Sequence, residues 1–524
     1  MLASTAFVAC TNDVETVENG AVAKGEKSYV SVNIVAPGSV AGRAAASDFL
    51  AGTTDEVTDE VKVNDAVFLF LNEDFEGCAS PYYTNSLPTF NDAKGTGQDK
   101  QATVLVIDGA KEVPTYLVAI LNPVKGAQHG YTATTTLNQL KAEHAAYTTY
   151  TNKNFVMSNA VYRAANGEEV AATPVTMDYI FSDVASAEAK PLTIQVERVV
   201  GKVAVNLNGA AEKWTMNNEQ IDNDETKQLK LVVTGWDILQ NNESTLVKNV
   251  DLAWNHTWWN DLTLKRSYWA KDYITAGRNE LLVDEMAIPT TGFRYVEETV
   301  SQTANTVEAD NVNPYLVIAG QFVDATTEEP VELVEWRGRK YTMDGYLNFI
   351  AGNSKVSQYW TKSGDTYTSF SVDLLEMVKD AEDWLASAQL KDASTQFYTC
   401  TFNPDGTVKE GTPVEVEEGE TNPVVAAIAE FGKVQYWNGG YTYYYTPIKH
   451  QTVGEGENAQ NYYGVVRNHV YDVTIKSITG YGTPVSHPDN AIEIPEKPVD
   501  DNSYLAAEVV ILDWKVVKNE VELN

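Results

Sequence analysis

The feature that most constrains this chain is the recurrence of short alternating runs of β-branched and aromatic residues. Val61–Leu71, Thr103–Ile107, Thr115–Leu121, Leu229–Leu239 and Tyr315–Phe322 all have this character. Runs of this length and period fit strands, and extended helices do not produce them. Twenty-eight tyrosines against fifteen phenylalanines, with many Thr and Val, lean the same way. No stretch approaches the ~18 consecutive apolar residues that a membrane-spanning helix requires.

The charge excludes one large class of function. With 38 basic and 73 acidic residues the formal charge is 38 − 73 = −35. A chain so acidic repels nucleic-acid phosphates, so no nucleic acid is expected as a partner. The apolar share of 43% and aromatic share of 10% suffice for packed cores in two large all-β domains.

Along the chain, residues 11–27 read as a polar tether and Tyr29–Val35 as a strand. Residues 37–48 are small and flexible, with Arg43 among them. Thr134–Tyr147 is a helix candidate, with Leu137, Leu140 and His144 at helical spacing. Leu192–Leu207 holds two strand-like alternations around Val199–Gly201. Residues 28–285 read as one β-rich domain and 286–524 as a second. In the second, Val331–Trp336 is expected as a strand and Lys340–Thr342 opens a short element. A helix is expected from the capping-box spacing of Asp373 and Glu376 and the stripe Leu374, Met377, Val378, Ala381, Trp384 and Leu385. Asn422-Pro423 supplies an N-cap with Pro at the first helical position, and Gly432 the stop. Tyr436–Tyr441 reads as a hairpin turn, followed by a strand with Tyr441, Tyr443 and Tyr445 on one face.

Familiar catalytic patterns are missing. There is no phosphate loop, no H-E-x-x-H and no G-x-S-x-G, and none of the six histidines lies three or four residues from another. Asp222–Glu225 resembles a calcium loop but lacks its glycine and distal glutamate, so a solvated turn is expected. Trp254, Trp258 and Trp259 either stack sugars or pack a core, and no carboxylate pair stands out for glycosidase work. Cys78 and Cys400 show no metal spacing and are expected free and partly buried. Neither a metal, a cofactor nor an enzymatic activity is expected.

Three groups of residues carry a resemblance. Tyr462–Pro484 contains Arg467, Asn468, His469 and Tyr471 ahead of a strand and a Gly482-Thr483-Pro484 end. Val196–Val203 reads V-E-R-V-V-G-K-V, Arg266–Asp272 reads R-S-Y-W-A-K-D, and Tyr295–Thr299 reads Y-V-E-E-T. At the N-terminus, Ala6–Cys10 is an apolar run that closes on a cysteine before an acidic stretch. Together these resemble the Bacteroidales-type fimbrillins, the type V pilins, and most of all their short-fimbria (Mfa-like) shaft subunits. Glu298 stands where that family has an asparagine.

The resemblance implies a mostly β fold: two tandem transthyretin/Ig-like β-sandwich domains with a few short helices. It implies a lipoprotein signal remnant at 1–10 with Cys10 lipidated, and a propeptide at 11–43 bearing the tether and a precursor strand. Further signal residues are expected upstream, because ten residues are short for a signal peptide and carry no basic start; an ordinary signal end with an incidental cysteine is the alternative. Cleavage between Arg43 and Ala44 by an arginine-specific or trypsin-like protease would leave 524 − 43 = 481 residues. The domains would be 44–285 and 286–503, followed by a donor strand at 504–524 with Val509, Val510, Ile511, Leu512, Trp514, Val516 and Val517 as its apolar residues. The expected function is a non-enzymatic structural subunit of a cell-surface fimbrium, serving adhesion and biofilm formation. The precursor would sit in the outer membrane through the lipid on Cys10 and then move into the filament by donor-strand exchange. Its partners would be other copies of itself and accessory anchor and tip pilins. An accessory tip or anchor pilin, or a monomeric surface lipoprotein binding glycans or host proteins, is the alternative; a β-rich glycosidase is a third.

Overall fold

The computed structural model of the chain describes residues 27–35, 63–85, 103–123, 130–146, 155–163, 169–207, 214, 221–224, 227–240, 243–249, 279–283, 286, 291–300, 314–380, 385–454, 456, 459–485, 491–492, 504–513 and 516–517. Cys10, Arg43, Ala44, Trp514, the Trp254/Trp258/Trp259 cluster and Arg266–Asp272 lie outside the described residues. The described chain is mostly β, in several sheets with few short helices, as expected.

The first unit contains β1 (Ser28–Val35), β2 (Ala66–Leu71), β3 (Tyr82–Thr84), β4 (Thr103–Ile107), β5 (Tyr116–Leu121), β6 (His144–Ala146), β7 (Met157–Asn159), β8 (Tyr162–Arg163), β9 (Glu169–Val170), β10 (Thr173–Pro174) and β11 (Leu192–Arg198), with helices α1 (Leu137–Lys141) and α2 (Val184–Ala189). Its main sheet runs β3-β2-β5-β7-β11-β1-β4, with β10 on β5. Every residue of β2 and β5 is buried, so these strands are covered on both faces, which is why they read as continuous apolar runs. The expected helix over Thr134–Tyr147 is shorter. Thr136 and Gln139 form a reciprocal capping box, but the helix ends at Lys141. His144–Ala146 instead pairs antiparallel with Glu243–Thr245, so strand pairing takes over from helical periodicity.

Then follow β12 (Val200–Asn206), β13 (Leu229–Leu239), β14 (Glu243–Thr245), β15 (Thr291–Glu297), β16 (Thr299–Val300) and β17 (Tyr315–Asp324). An excursion comes next: β18 (Leu333–Trp336), β19 (Arg339–Thr342), α3 (Met343–Gly352), α4 (Ser354–Ser357), β20 (Tyr359–Ser363), β21 (Thr366–Ser369), β22 (Leu375–Lys379), β23 (Leu385–Leu390), β24 (Phe397–Phe402), β25 (Val408–Pro413), α5 (Pro423–Ala429) and β26 (Val434–Trp437). The chain closes with β27 (Tyr441–Pro447), β28 (Lys449–Val453), β29 (Gln460–Val465), β30 (His469–Thr479), β31 (Thr483–Pro484), β32 (Tyr504–Asp513) and β33 (Val516–Val517).

Two sheets make a sandwich, one ordered β15-β12-β30-β32-β33 and the other β13-β17-β27-β31. A single core joins Val203, Tyr471 and Val473 of the first to Trp236, Ile318, Phe322 and Tyr444 of the second. Tyr443 points the other way and packs with Tyr315 and Val317, flanked by Tyr441 and Tyr445. The alternation expected for this tyrosine strand therefore holds. The division expected at 285/286 runs through both sheets: β12 pairs with β15 and β30, and β13 pairs with β17. The chain passes from the first sheet into the sandwich at Val199, which is fully buried.

Two further expectations are corrected. The helix expected over Leu374–Leu385 is a single 3₁₀ turn, Val372–Leu374, followed by β22, which pairs antiparallel with β23. The segment also carries an alternating apolar pair, and Leu375 opposite Leu390 and Met377 opposite Ala388 make use of it. The hairpin expected at Tyr436–Tyr441 is a crossing between sheets. β26 joins the sheet β19-β18-β26-β23-β22, whereas β27 joins the second sandwich sheet. The cap at Asn422 stands: its side chain accepts from the Val424 N–H at 2.9 Å and Pro423 begins the helix.

Candidate functional site

The turn Val466–Asn468 enters β30 with Asn468 at φ +58°. Its backbone N–H donates to Val200 O at 2.7 Å, which ties the turn to the start of β12. Gly201 makes this approach possible, because a Cβ there would lie 2.3 Å from Val465 Cγ1.

Arg467 is fully buried, and each hydrogen bond that its N–H groups donate spans a long stretch of sequence. Its Nε donates to Glu298 Oε2 at 2.7 Å and its backbone N–H to Glu298 Oε1 at 3.0 Å. Its Nη2 donates to Thr245 O at 2.6 Å and to Thr245 Oγ1 at 3.0 Å, and Nη1 donates to Leu246 O at 3.2 Å. Lys248, also fully buried, places Nζ 3.2 Å from Glu298 Oε1. Burial alone would raise the Glu298 carboxyl, but Arg467 and then Lys248 hold it below the usual carboxylate range. Burial lowers Lys248, against the opposing pull of Glu298 and Glu197. A carboxylate between two buried cations satisfies charges that would be very costly alone. Arg198 Nη1 donates to Asn468 Oδ1 at 3.1 Å, so the first unit also holds the turn.

Two histidines flank the knot. His469 Nδ1 donates to Arg467 O at 2.8 Å, since a carbonyl can only accept. Tyr471 Oη accepts the Val466 N–H at 2.7 Å and lies 2.8 Å from His450 Nδ1. Arg467, Asn468, His469 and Tyr471 thus meet in one buried cluster that joins the first unit to the sandwich. Lys248 and His450 were not anticipated, because no local pattern marks either. Glu298, the departure from the resemblance motif, turns out to be the hub.

β30, which issues from this turn, pairs along its length with β32, from Thr479 opposite Tyr504 to His469 opposite Asp513. Val509 stands opposite Val473, Val510 opposite Asp472, Ile511 opposite Tyr471 and Leu512 opposite Val470. Val516 and Val517 fold back onto Leu512 and Ile511. The C-terminal strand therefore pairs within its own chain, at one side of the sheet, with its far end beside the knot. β1 has an internal place: it runs parallel to β11 through Val32–Val35 and antiparallel to β4 through Ser28–Val32. Val30, Val32 and Ile34 are buried in the first core.

Among the described residues no group of three or more His, Cys, Asp or Glu is placed to hold a metal ion. Asp222 is a tether, as its carboxylate accepts from Thr342 N–H at 2.8 Å, from Thr342 Oγ1 at 2.7 Å and from Lys227. Cys78 is free and buried, and burial, with Glu112 adding to it, pushes its thiol up to about 12. Cys400 is free and half-buried.

Residues 435–520, which hold the knot's turn and the terminal strand, match the family model described as major fimbrial subunit protein type IV, fimbrillin, C-terminal. This region is of the fimbrillin type, and the match points to a fimbrial subunit at the cell surface and to a structural, non-enzymatic protein. No curated protein matches the sequence. Among solved structures, a Parabacteroides distasonis protein assigned to cell adhesion is 10% identical, with TM-score 0.38 and coverage of 95% of this chain and 99% of that one. The C-terminally truncated tip fimbrial protein Mfa3 from Porphyromonas gingivalis is 13% identical, with TM-score 0.28 and coverage of 93% and 100%. A fimbrial assembly protein from Parabacteroides distasonis is 10% identical, with TM-score 0.27 and coverage of 70% and 97%.

Proposed function

We propose that this chain is a pilin precursor, lipidated at Cys10, cut between Arg43 and Ala44, and polymerised by donor-strand exchange into a surface fimbrium that serves adhesion and biofilm formation. The observation that carries this reading is the place of Ser28–Val35 between β11 and β4. It is an internal strand that lies upstream of Arg43. Cutting at Arg43 would free it from the rest of the chain and leave a slot with unpaired backbone groups on both sides. Three buried side chains, Val30, Val32 and Ile34, at ~1.5–3 kcal/mol each, give such a slot roughly 5–9 kcal/mol of apolar demand. A neighbour's C-terminal strand can meet that demand by β-strand addition. Tyr504–Leu523, about 66 Å when extended, is long enough to cross between subunits. Accessory anchor and tip pilins and an arginine-specific or trypsin-like protease would be the partners, with the outer membrane holding the precursor through its lipid.

One observation favours a second reading. Tyr504–Asp513 is fully paired with its own β30, as suits a tip or anchor pilin, or a monomeric surface lipoprotein, that never donates its strand. Electron microscopy of the purified chain before and after limited trypsin treatment separates the two. Filaments that appear only after loss of residues 1–43 support polymerisation. Persistent monomers after clean removal of those residues overturn it.

A further inference from the structure

β17 and β27 pair directly, from Tyr315 opposite Pro447 to Gln321 opposite Tyr441. Residues 325–440 are thus an excursion between two paired strands, although Leu333 and Trp437 at its two ends reach into the sandwich core. That excursion has its own core around Tyr346, Ile350, Phe397 and Tyr436. It also carries a separate four-stranded sheet ordered β21-β20-β24-β25. No residue of that four-stranded sheet belongs to the sandwich core, so the sheet calls for a task of its own.

We propose that the aromatic face of this sheet is a binding site for a neutral glycan, with Trp360 and Phe402 as the platform. Pairing of Trp360 with Tyr398 and of Lys362 with Tyr367 places these four on one face, together with Phe402 two positions beyond Cys400. The opposite face carries Thr361, Thr368, Thr399 and Thr412 together with Tyr359 and the buried Phe397, which pack on the excursion's core. Phe402 is 49% exposed, the most exposed large apolar side chain among the described residues. Its ring lies 5.5 Å from that of half-buried Trp360, tilted by 57°. Tyr367 meets Tyr398 edge-on at 5.5 Å. Tyr367 belongs to one edge of the sheet, yet a Cβ on Gly411 at the other edge would lie 2.3 Å from Tyr367 Cε1. In a flat sheet those edges would stand about 14 Å apart. The sheet therefore curls around its aromatic face.

The chemistry of the face selects the ligand. None of the residues that the pairing puts on it is acidic, in a chain with 73 acidic residues. Lys362 on this face lies 5.0 Å over the Tyr367 ring. Aromatic ring faces are electron-rich and attract the polarised C–H face of a pyranose. Tyrosine and serine hydroxyls beside them suit sugar hydroxyls. An anionic glycan would meet the repulsion of a chain at −35. This inference deepens the adhesive role proposed above, but binding is read on the soluble monomer, so it stands or fails apart from filament formation.

The test is an array of neutral gluco-, galacto- and manno-oligosaccharides, with sialylated oligosaccharides alongside, probed with the full chain, and calorimetric titration of whatever binds. We expect a neutral oligosaccharide to bind, Trp360→Ala and Phe402→Ser each to weaken it at least tenfold, and Thr399→Val to leave it unchanged. Thermal melts report whether each variant is folded; Phe402→Ser alters an exposed position and keeps the test open if Trp360→Ala unfolds. Absence of neutral-glycan binding at millimolar concentration, binding of sialylated glycans alone, or undiminished binding by Phe402→Ser overturns the proposal.

Discussion

Arg467 and Glu298 are joined twice through one carboxylate: Nε donates to Oε2 at 2.7 Å and the backbone N–H to Oε1 at 3.0 Å, across 169 residues of sequence. The turn that starts β30 is thereby fixed to the residue between β15 and β16. Because Arg467 also reaches Thr245 and Leu246, the same side chain fixes β14. One buried guanidinium thus sets the relative position of three segments that local sequence cannot bring together.

Removing Glu298 leaves two buried cations facing each other. Glu298→Asn, which installs the asparagine of the resembling motif, is expected to cost ~3–5 kcal/mol in urea unfolding. Adding Lys248→Met should recover a large part of that loss, because the pair couples through direct contact. Additive costs in the double variant would show that Lys248 and Glu298 do not act as a unit.

The same carboxylate sets an acid limit. Its folded value lies below its ordinary 4.5, so its contribution is present above about pH 4.5 and is lost as pH falls through the folded value. The melting temperature is expected to drop across that window in the parent chain and to change less steeply in Glu298→Gln. Parallel profiles from pH 6 to pH 3 would assign the acid sensitivity to other carboxylates.

Arg43 is the only basic residue between Lys27 and Lys62. Arg43→Ala is expected to remain uncleaved after limited trypsin treatment and to form no filaments. N-terminal sequencing and electron microscopy on the same sample check both points. Filaments built from chains that still carry residues 11–43 would refute maturation there.

The terminal strand is tested by Ile511→Asp with Trp514→Asp. Two charges in an apolar slot cost several kcal/mol, so cleaved, folded monomers without filaments are expected. Size-exclusion chromatography with circular dichroism reads the outcome. Ile511 sits opposite Tyr471 within the chain's own sheet, so a collapse of the β signal would identify the strand as part of its own subunit's core. Filaments of normal length would exclude donation by this segment.

Sequence alone determined what depends on neighbours within a few residues. The strands Ala66–Leu71 and Leu229–Leu239, the cap at Asn422 and the opposed faces of Tyr443 and Tyr444 follow from periodicity and local hydrogen-bonding chemistry. The block Arg467, Asn468, His469 and Tyr471 was legible as a unit because its members fall within five residues. Tertiary structure decided everything set by partners far along the chain. Leu374–Leu385 carries helical and alternating apolar patterns together, and only a partner at Ala386–Leu390 selects the second. Val434–Trp437 and Tyr441–Pro447 look like one hairpin until each finds a different sheet. Lys248, in an unmarked stretch, becomes half of a buried ion pair, and Glu298 becomes its centre, because burial makes an unpaired charge too costly to leave. Val200–Asn206 pairs with Thr291–Glu297 and with Val470–Thr474, on the far side of residue 286, for the same reason: a strand belongs to the sheet that completes its hydrogen bonds, whatever its position in the chain.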